Sequence, residues 1–155
     1  MVYTERTKRA MKLIIKAHEG QFDKGGYPYV YHPIHLAERM EEESTCLLAL
    51  LHDVVEDCPA YSLQRVIAEV GLTEDEGKSL RLLTHDEEVP YVDYVLTLAS
   101  DKNARKVKIA DLTHNLDLTR LDGKAPRKYE TMRKCLHVLA LIEEGMSVGE
   151  ARKLL

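Results

Sequence analysis

Residues 46–59 read CLLALLHDVVEDCP. An apolar run this dense belongs in a core, yet His52, Asp53, Glu56 and Asp57 crowd into six positions near its end. Buried charge is costly without a partner. A helix carrying this stretch must be anchored in the interior and turn its acidic side to a cleft. On one continuous helix, expected over residues 44–57, His52 lies four positions from Glu56 and Asp53 four from Asp57. The four side chains then cover two adjacent rows on one side. Three carboxylates so close stay ionised only with a cation among them; otherwise some take up protons. Imidazole beside carboxylate suits a divalent metal such as Mn, Fe or Zn.

The rest of the chain is helical in pattern, which predicts an all-α fold. TERTKRAMKLIIKAHEGQ places Ala10, Leu13, Ile14 and Ala17 on one stripe. A loop rich in Gly, Pro and Tyr follows, FDKGGYPYVYHP, and Pro33 suits the first position of a second helix. The prolines bounding YPYVYHP argue for an extended loop rather than a strand. Beyond Pro59, a short helix closes at Gly71 and another opens on the capping-box pair Thr73 and Glu76. PYVDYVLTLAS forms one more, and a helix is expected from Asp101 to Leu121. RKYETMRKCLHVLALIEEG makes a long amphipathic helix, and Ser147 with Glu150 caps the last. No repeat or long linker divides residues 1–155, so one domain is expected, with a substantial core.

Composition narrows the function. The net charge of −4 argues against nucleic acid or an anionic membrane as the main partner, though not against a small anionic ligand. No apolar run is long enough to span a bilayer. The N-terminus carries no apolar signal segment, and three widely spaced cysteines make neither a disulfide framework nor a zinc motif. Free thiols in a reducing cytoplasm are expected. There is no Walker-type loop and no recognisable Ser or Cys nucleophile motif.

Two further residues complete a ligand set for the acidic cluster. His32 stands at the end of the tyrosine-rich loop. Asp111 stands within VKIADLTHN, where Val107, Ile109 and Ala110 give a charge an apolar setting. A buried mid-helix Asp usually has a partner. Taken singly, a histidine before proline is more often a cap. With His52 and Asp53, the two make a nitrogen and oxygen shell with room for water, as catalytic metal sites have. His114 is expected to support the turn around Asn115, and His18 either to support the site from behind or to be an ordinary helix histidine. Tyr27, Tyr29 and Tyr31 could line a pocket mouth, while Tyr91 and Tyr94 are expected to pack a helix face.

Three separated stretches, AHEGQFDKGGYPYVYHP, HDVVED and VKIADLTHN, together resemble the HD-domain hydrolases of the RelA/SpoT type, which degrade the alarmone (p)ppGpp. The resemblance runs from about Ala17 to about Leu121, with the motifs in family order. It implies a compact multi-helix HD-domain bundle around a metal site. His32, His52, Asp53 and Asp111 match the ligands, and Mn²⁺ is the usual ion, with other divalent metals open. Glu56 and Asp57 match the pair that orients and activates water. Lys24 and Asn115 match nucleotide contacts. The implied reaction hydrolyses the 3′-pyrophosphate of ppGpp to GDP and pyrophosphate, as in small members without a synthetase domain.

Three positions depart from the long bifunctional members. Asp23 stands where they have arginine, and Leu112 and Asp117 replace basic residues. Arg105, Lys106, Lys108 and Arg120 are the candidates to restore positive charge. The departures keep two other functions in play. One is an HD phosphatase acting on another nucleotide, such as a nucleoside monophosphate or NADPH. The other is a regulatory module that binds a nucleotide without turnover. Nothing in the sequence sets an oligomeric state.

Overall fold

In the computed structural model, which describes residues 1–121 and 123–155, the apolar run becomes the centre of the molecule. Every side chain from Thr45 to Leu51 is buried on helix α3 (Glu43–Leu51). Each of its leucines contributes about 1.5–3 kcal/mol by leaving water. Four helices cover it: α1 (Glu5–Ala17), α2 (Tyr31–Glu38), α6 (Glu74–Leu83) and α8 (Lys102–Asn115). The outer layer is α5 (Leu63–Val70), α7 (Tyr91–Leu98), α9 (Tyr129–Glu143) and α10 (Val148–Arg152). Among the described residues there is no strand, only an isolated bridge between Phe22 and Pro28. The all-α expectation is borne out. No helix among them is long and apolar enough to cross a membrane.

The expected helix over 44–57 is broken. α3 stops at Leu51, and a four-residue α4 (Val54–Asp57) restarts after a turn at His52 and Asp53. The cause is local: His52 Nδ1 lies 2.8 Å from the carbonyl oxygen of Ala49. In a continuous helix that carbonyl would accept from the amide of Asp53. The break matters for the site. On an unbroken helix, neighbouring side chains diverge by about 100° and do not face each other. Here His52 Nε2 and Asp53 Oδ2 converge to 2.9 Å.

Several helix ends follow the sequence. The Thr73–Glu76 and Ser147–Glu150 capping boxes form, Gly71 ends α5 in the left-handed region at φ 79°, and Asp101 caps α8 through the amide of Ala104. Two boundaries differ. α2 begins at Tyr31 instead of Pro33, with the proline still in the first turn, where its missing N–H costs nothing. α8 ends at Asn115, and residues Leu118–Leu121 form a separate 3-10 turn. Asp117 starts that turn by accepting from the amide and hydroxyl of Thr119, 3.0 and 2.6 Å away. The chain folds back there, and Arg120 reaches the tyrosine-rich loop.

Candidate metal centre and its cleft

The break between α3 and α4 faces the start of α2 and the middle of α8. His32, His52 and Asp53 each offer a donor atom, and the three atoms lie within 4.8 Å of one another. These three side chains could hold a divalent metal. Asp111 closes the remaining side, its Oδ1 3.1 Å from His32 Nε2 and 3.8 Å from His52 Nε2. Both histidines and Asp111 are buried.

Two observations show that the donor set fits a cation. The first is His52. Its Nδ1 is engaged by Ala49, and its buried Nε2 has no hydrogen-bond partner among the described residues, although Asp53 Oδ2 is only 2.9 Å away. The oxygen is close but not aligned for an N–H bond; a shared cation would satisfy both atoms. The second is His32. Its Nδ1 lies 2.6 Å from Nδ1 of His114. Burial and the neighbouring His32 push the His114 imidazole down to about 3, so it is neutral and accepts. On its other side, Nε2 of His32 lies 3.1 Å from Oδ1 of Asp111. With one ring nitrogen held by His114, the other points into the donor cluster, where a cation could take it.

The surroundings hold the ligands in place. Tyr29 donates its hydroxyl to Asp53 Oδ2. Asn115 Nδ2 donates to Asp111 Oδ1 at 2.6 Å, and Lys108 Nζ pairs with Asp111 Oδ2 at 2.8 Å. Lys108 is itself buried, 5.6 and 5.2 Å from the ring centres of Tyr91 and Tyr94. Burial disfavours charge on both Lys108 and Asp111, but each keeps the other ionised. Burial likewise opposes charge on His52 and Asp53. Their mutual attraction, joined by Asp111 on the histidine, still lifts His52 to about 10 and lowers Asp53 to about 2.

Glu56 and Asp57 stand on α4, one turn beyond Asp53, on the wall of a cleft of about 230 Å³. Burial, then the carboxylate of Asp53, raises both above the usual carboxylate range. Glu56 Oε2 also accepts from the amide of His85 at 3.0 Å, which fixes its direction. A carboxylate with a raised pKa beside a metal position can accept a proton.

Beside the cleft lies a second, outer lobe of about 330 Å³, lined in part by Phe22, Lys24 and Leu121. Tyr29, Asn115 and Met132 line both lobes. The expected site residues are thus brought together around the inner cleft, except Lys24, which is exposed on the outer lobe.

Sequence reasoning missed part of what several neighbours do. Lys108, named only as a candidate source of positive charge, falls three positions before Asp111, at helical contact distance, and that spacing was a usable signal for the pair. His114 supports the ligand His32 as well as its turn. Tyr91 and Tyr94 line the cleft as well as packing α7. Lys128, exposed at the rim, carried no signal at all. The candidate basic residues separate in space. Arg105 pairs with Glu143 away from the cleft at 2.6 Å, while Arg120 pairs with Asp23. Leu112 is fully buried core. Cys46, Cys58 and Cys135 are free and buried, as expected.

The contact between His32 and His114 yields an expectation. Ligand supports of this kind typically carry 10- to 100-fold in metal affinity, so His114→Phe should weaken binding by about that factor. Calorimetric titration of metal-stripped protein checks it; unchanged affinity would mean that His114 does not hold the ligand.

No family model matches the chain. Curated relatives do. The bifunctional (p)ppGpp synthase/hydrolase SpoT of Escherichia coli is 31% identical over 124 residues, covering 72% of this chain and 18% of that protein. The guanosine-3′,5′-bis(diphosphate) 3′-pyrophosphohydrolase of Haemophilus influenzae is 34% identical over 113 residues, covering 64% of this chain and 16% of its own. The chain therefore spans less than a fifth of the length of these relatives. Among solved structures, a metazoan ortholog of SpoT, described as hydrolysing ppGpp with a role in starvation responses, superposes with a TM-score of 0.70. It is 23% identical, and the match covers 100% of this chain and 99% of that one. The resemblance to RelA/SpoT-type proteins carried by the three motifs is borne out in sequence and in fold.

Proposed function

We propose that residues 1–155 form one hydrolase unit that removes the 3′-pyrophosphate of guanosine tetra- and pentaphosphate, with Mn²⁺ held by His32, His52, Asp53 and Asp111. The observation that carries this reading is the convergence of His32, His52 and Asp53, with Asp111 3.1 Å from His32 and a buried His52 Nε2 that has no hydrogen-bond partner among the described residues, beside the Glu56 and Asp57 wall. The names of the relatives support the choice of substrate. In the reaction, water adds to the phosphorus bonded to the ribose 3′-oxygen and the bond between them breaks; the 3′-oxygen leaves with a proton as the hydroxyl, so that ppGpp and water give GDP and pyrophosphate.

A divalent ion supplies Lewis acidity toward the phosphoryl oxygens and lowers the pKa of water. The chain does the rest. Glu56, its direction fixed by the amide of His85, accepts the proton of the attacking water. Asp57 orients that water from the same turn. Lys128 at the rim and Lys108 behind Asp111 offset phosphate charge. Inside the cleft, Asp53, Glu56, Asp57 and Asp111 outnumber these two lysines by two charges, which a divalent cation would cancel. Asn115 holds Asp111 and faces both lobes, and Lys24 contacts the nucleotide in the outer lobe.

The test is a substrate panel. Protein reloaded with Mn²⁺ is assayed for pyrophosphate release from ppGpp, and for phosphate release from nucleoside monophosphates and NADPH. Pyrophosphate from ppGpp, with little from the panel, is the expected result. Turnover of the panel alone would make the chain a phosphatase of another nucleotide, and binding of ppGpp without turnover would make it a regulatory module.

A further inference from the structure

Asp23 is the departure that the structure explains best. Its two carboxylate oxygens have separate tasks. Oδ1 accepts from the amides of Gly25 and Tyr27, both at 2.9 Å, and shapes the loop. Oδ2 takes Nη2 of Arg120 at 2.8 Å, while Nη1 of the same guanidinium donates to the carbonyl of His114 at 2.8 Å. Both side chains are largely buried, with 12% and 19% exposed. The loop is pressed onto the 3-10 turn, because a side chain at Gly25 would run into the carbonyl oxygen of Arg120. The pair lines the outer lobe, with Lys24 as the other charged residue there. Two of its five N–H groups are engaged and Asp23 balances its charge, so the pair has no net charge to offer a ligand. Lys24 forms no ion pair among the described residues, and its single charge dominates the lobe.

We propose that Asp23 is a specificity-determining residue: by holding Arg120 in a neutral pair, it makes the outer lobe indifferent to the number of phosphates at the nucleotide's non-reacting end. The inference rests on the proposed function for its orientation. With the reacting pyrophosphate at the metal, the other end of the substrate extends through the shared Tyr29, Asn115 and Met132 boundary into the outer lobe. A free arginine there would favour each added phosphate, since charge-assisted bonds to phosphate are strong and bidentate. A paired one does not.

The isosteric Asp23→Asn variant isolates the effect. Its remaining oxygen can still accept from Gly25 and Tyr27, so the loop keeps its shape while the ion pair loses its charge. Wild type and Asp23→Asn are compared on guanosine 3′-diphosphates bearing a 5′-mono-, di- or triphosphate. For the wild type, KM should change less than about threefold along the series, the size of a screened surface interaction. In Asp23→Asn, KM should fall about tenfold or more from mono- to triphosphate, the size of a charge-assisted hydrogen bond, with kcat little changed. Asp23→Asn combined with Arg120→Gln should restore the flat series, which a purely structural effect of Asp23 would not do.

The same series is read as dissociation constants on Glu56→Gln protein, which needs no turnover. A steep wild-type series, or a flat one in Asp23→Asn, overturns the proposal. If none of the three is hydrolysed but the binding series follows the expected pattern, the hydrolase reading fails and the role of Asp23 stands. If all three are hydrolysed and Asp23→Asn stays flat, the reverse holds.

Discussion

Glu56→Gln is expected to lower turnover of ppGpp about 100- to 10,000-fold, the usual contribution of a general base. The amide keeps the hydrogen bond from His85 and the shape of α4, but it cannot accept a proton. Metal content should not change, because Glu56 lies outside the converging donors His32, His52 and Asp53. Elemental analysis beside a kinetic assay separates the two effects. A variant with normal turnover would remove Glu56 from the proton path. One that also lost its metal would make Glu56 a ligand.

Asp111→Asn should have a different signature, with metal, activity and stability falling together. Asp111 faces the two histidines through one oxygen and Lys108 through the other. Removing its charge leaves the Lys108 ammonium buried without a counter-ion, and breaking such a pair typically costs about 3–5 kcal/mol. Denaturant unfolding of metal-free protein reads that cost without any contribution from bound ion, which would add its own stabilisation. Asp53→Asn makes the comparison sharper. Among the described residues Asp53 contacts histidines and Tyr29 but no lysine, and an imidazole left without its counter-ion can shed its proton where the Lys108 ammonium does not, so the same charge removal should cost less stability while still impairing metal binding. Equal stability loss in both variants would mean that the lysine pair is not what distinguishes Asp111.

Much of this site was legible because its charges stand in the wrong company. His52 and Asp53 follow a run of leucines, and Asp111 sits among Val107, Ile109 and Ala110. Such residues need partners, and helical spacing limits which partners they can have. The helix order, the Gly71 stop and the capping boxes were legible for the same reason: they depend on local chemistry. The break at His52 was not. Helical spacing permits a continuous helix over 44–57, and the device that interrupts it is a side-chain contact with Ala49 that periodicity does not register. Nor was the Asp23–Arg120 pair legible, since 97 positions separate its members. The two were noted apart, as a lost arginine and a spare one, and only the fold-back after Asn115 places one on the other. Tyr91 and Tyr94 were read as packing because an aromatic on a helix face usually is. Here the packing also walls the cleft around Lys108.

The central claim is that the broken helix builds a cation site and that the chemistry depends on it. Titration of metal-stripped protein with Mn²⁺ tests this directly, following heat, released protons and ppGpp hydrolysis together. In the metal-free protein His52 is protonated below about 10, so binding at neutral pH must expel a proton, and affinity should rise with pH. The account predicts one ion per chain, proton release at neutral pH that fades above about pH 10, and hydrolysis rising along the same curve as binding. Full hydrolysis in the presence of a chelator, or an ion that binds equally well to Asp53→Asn protein, would contradict it.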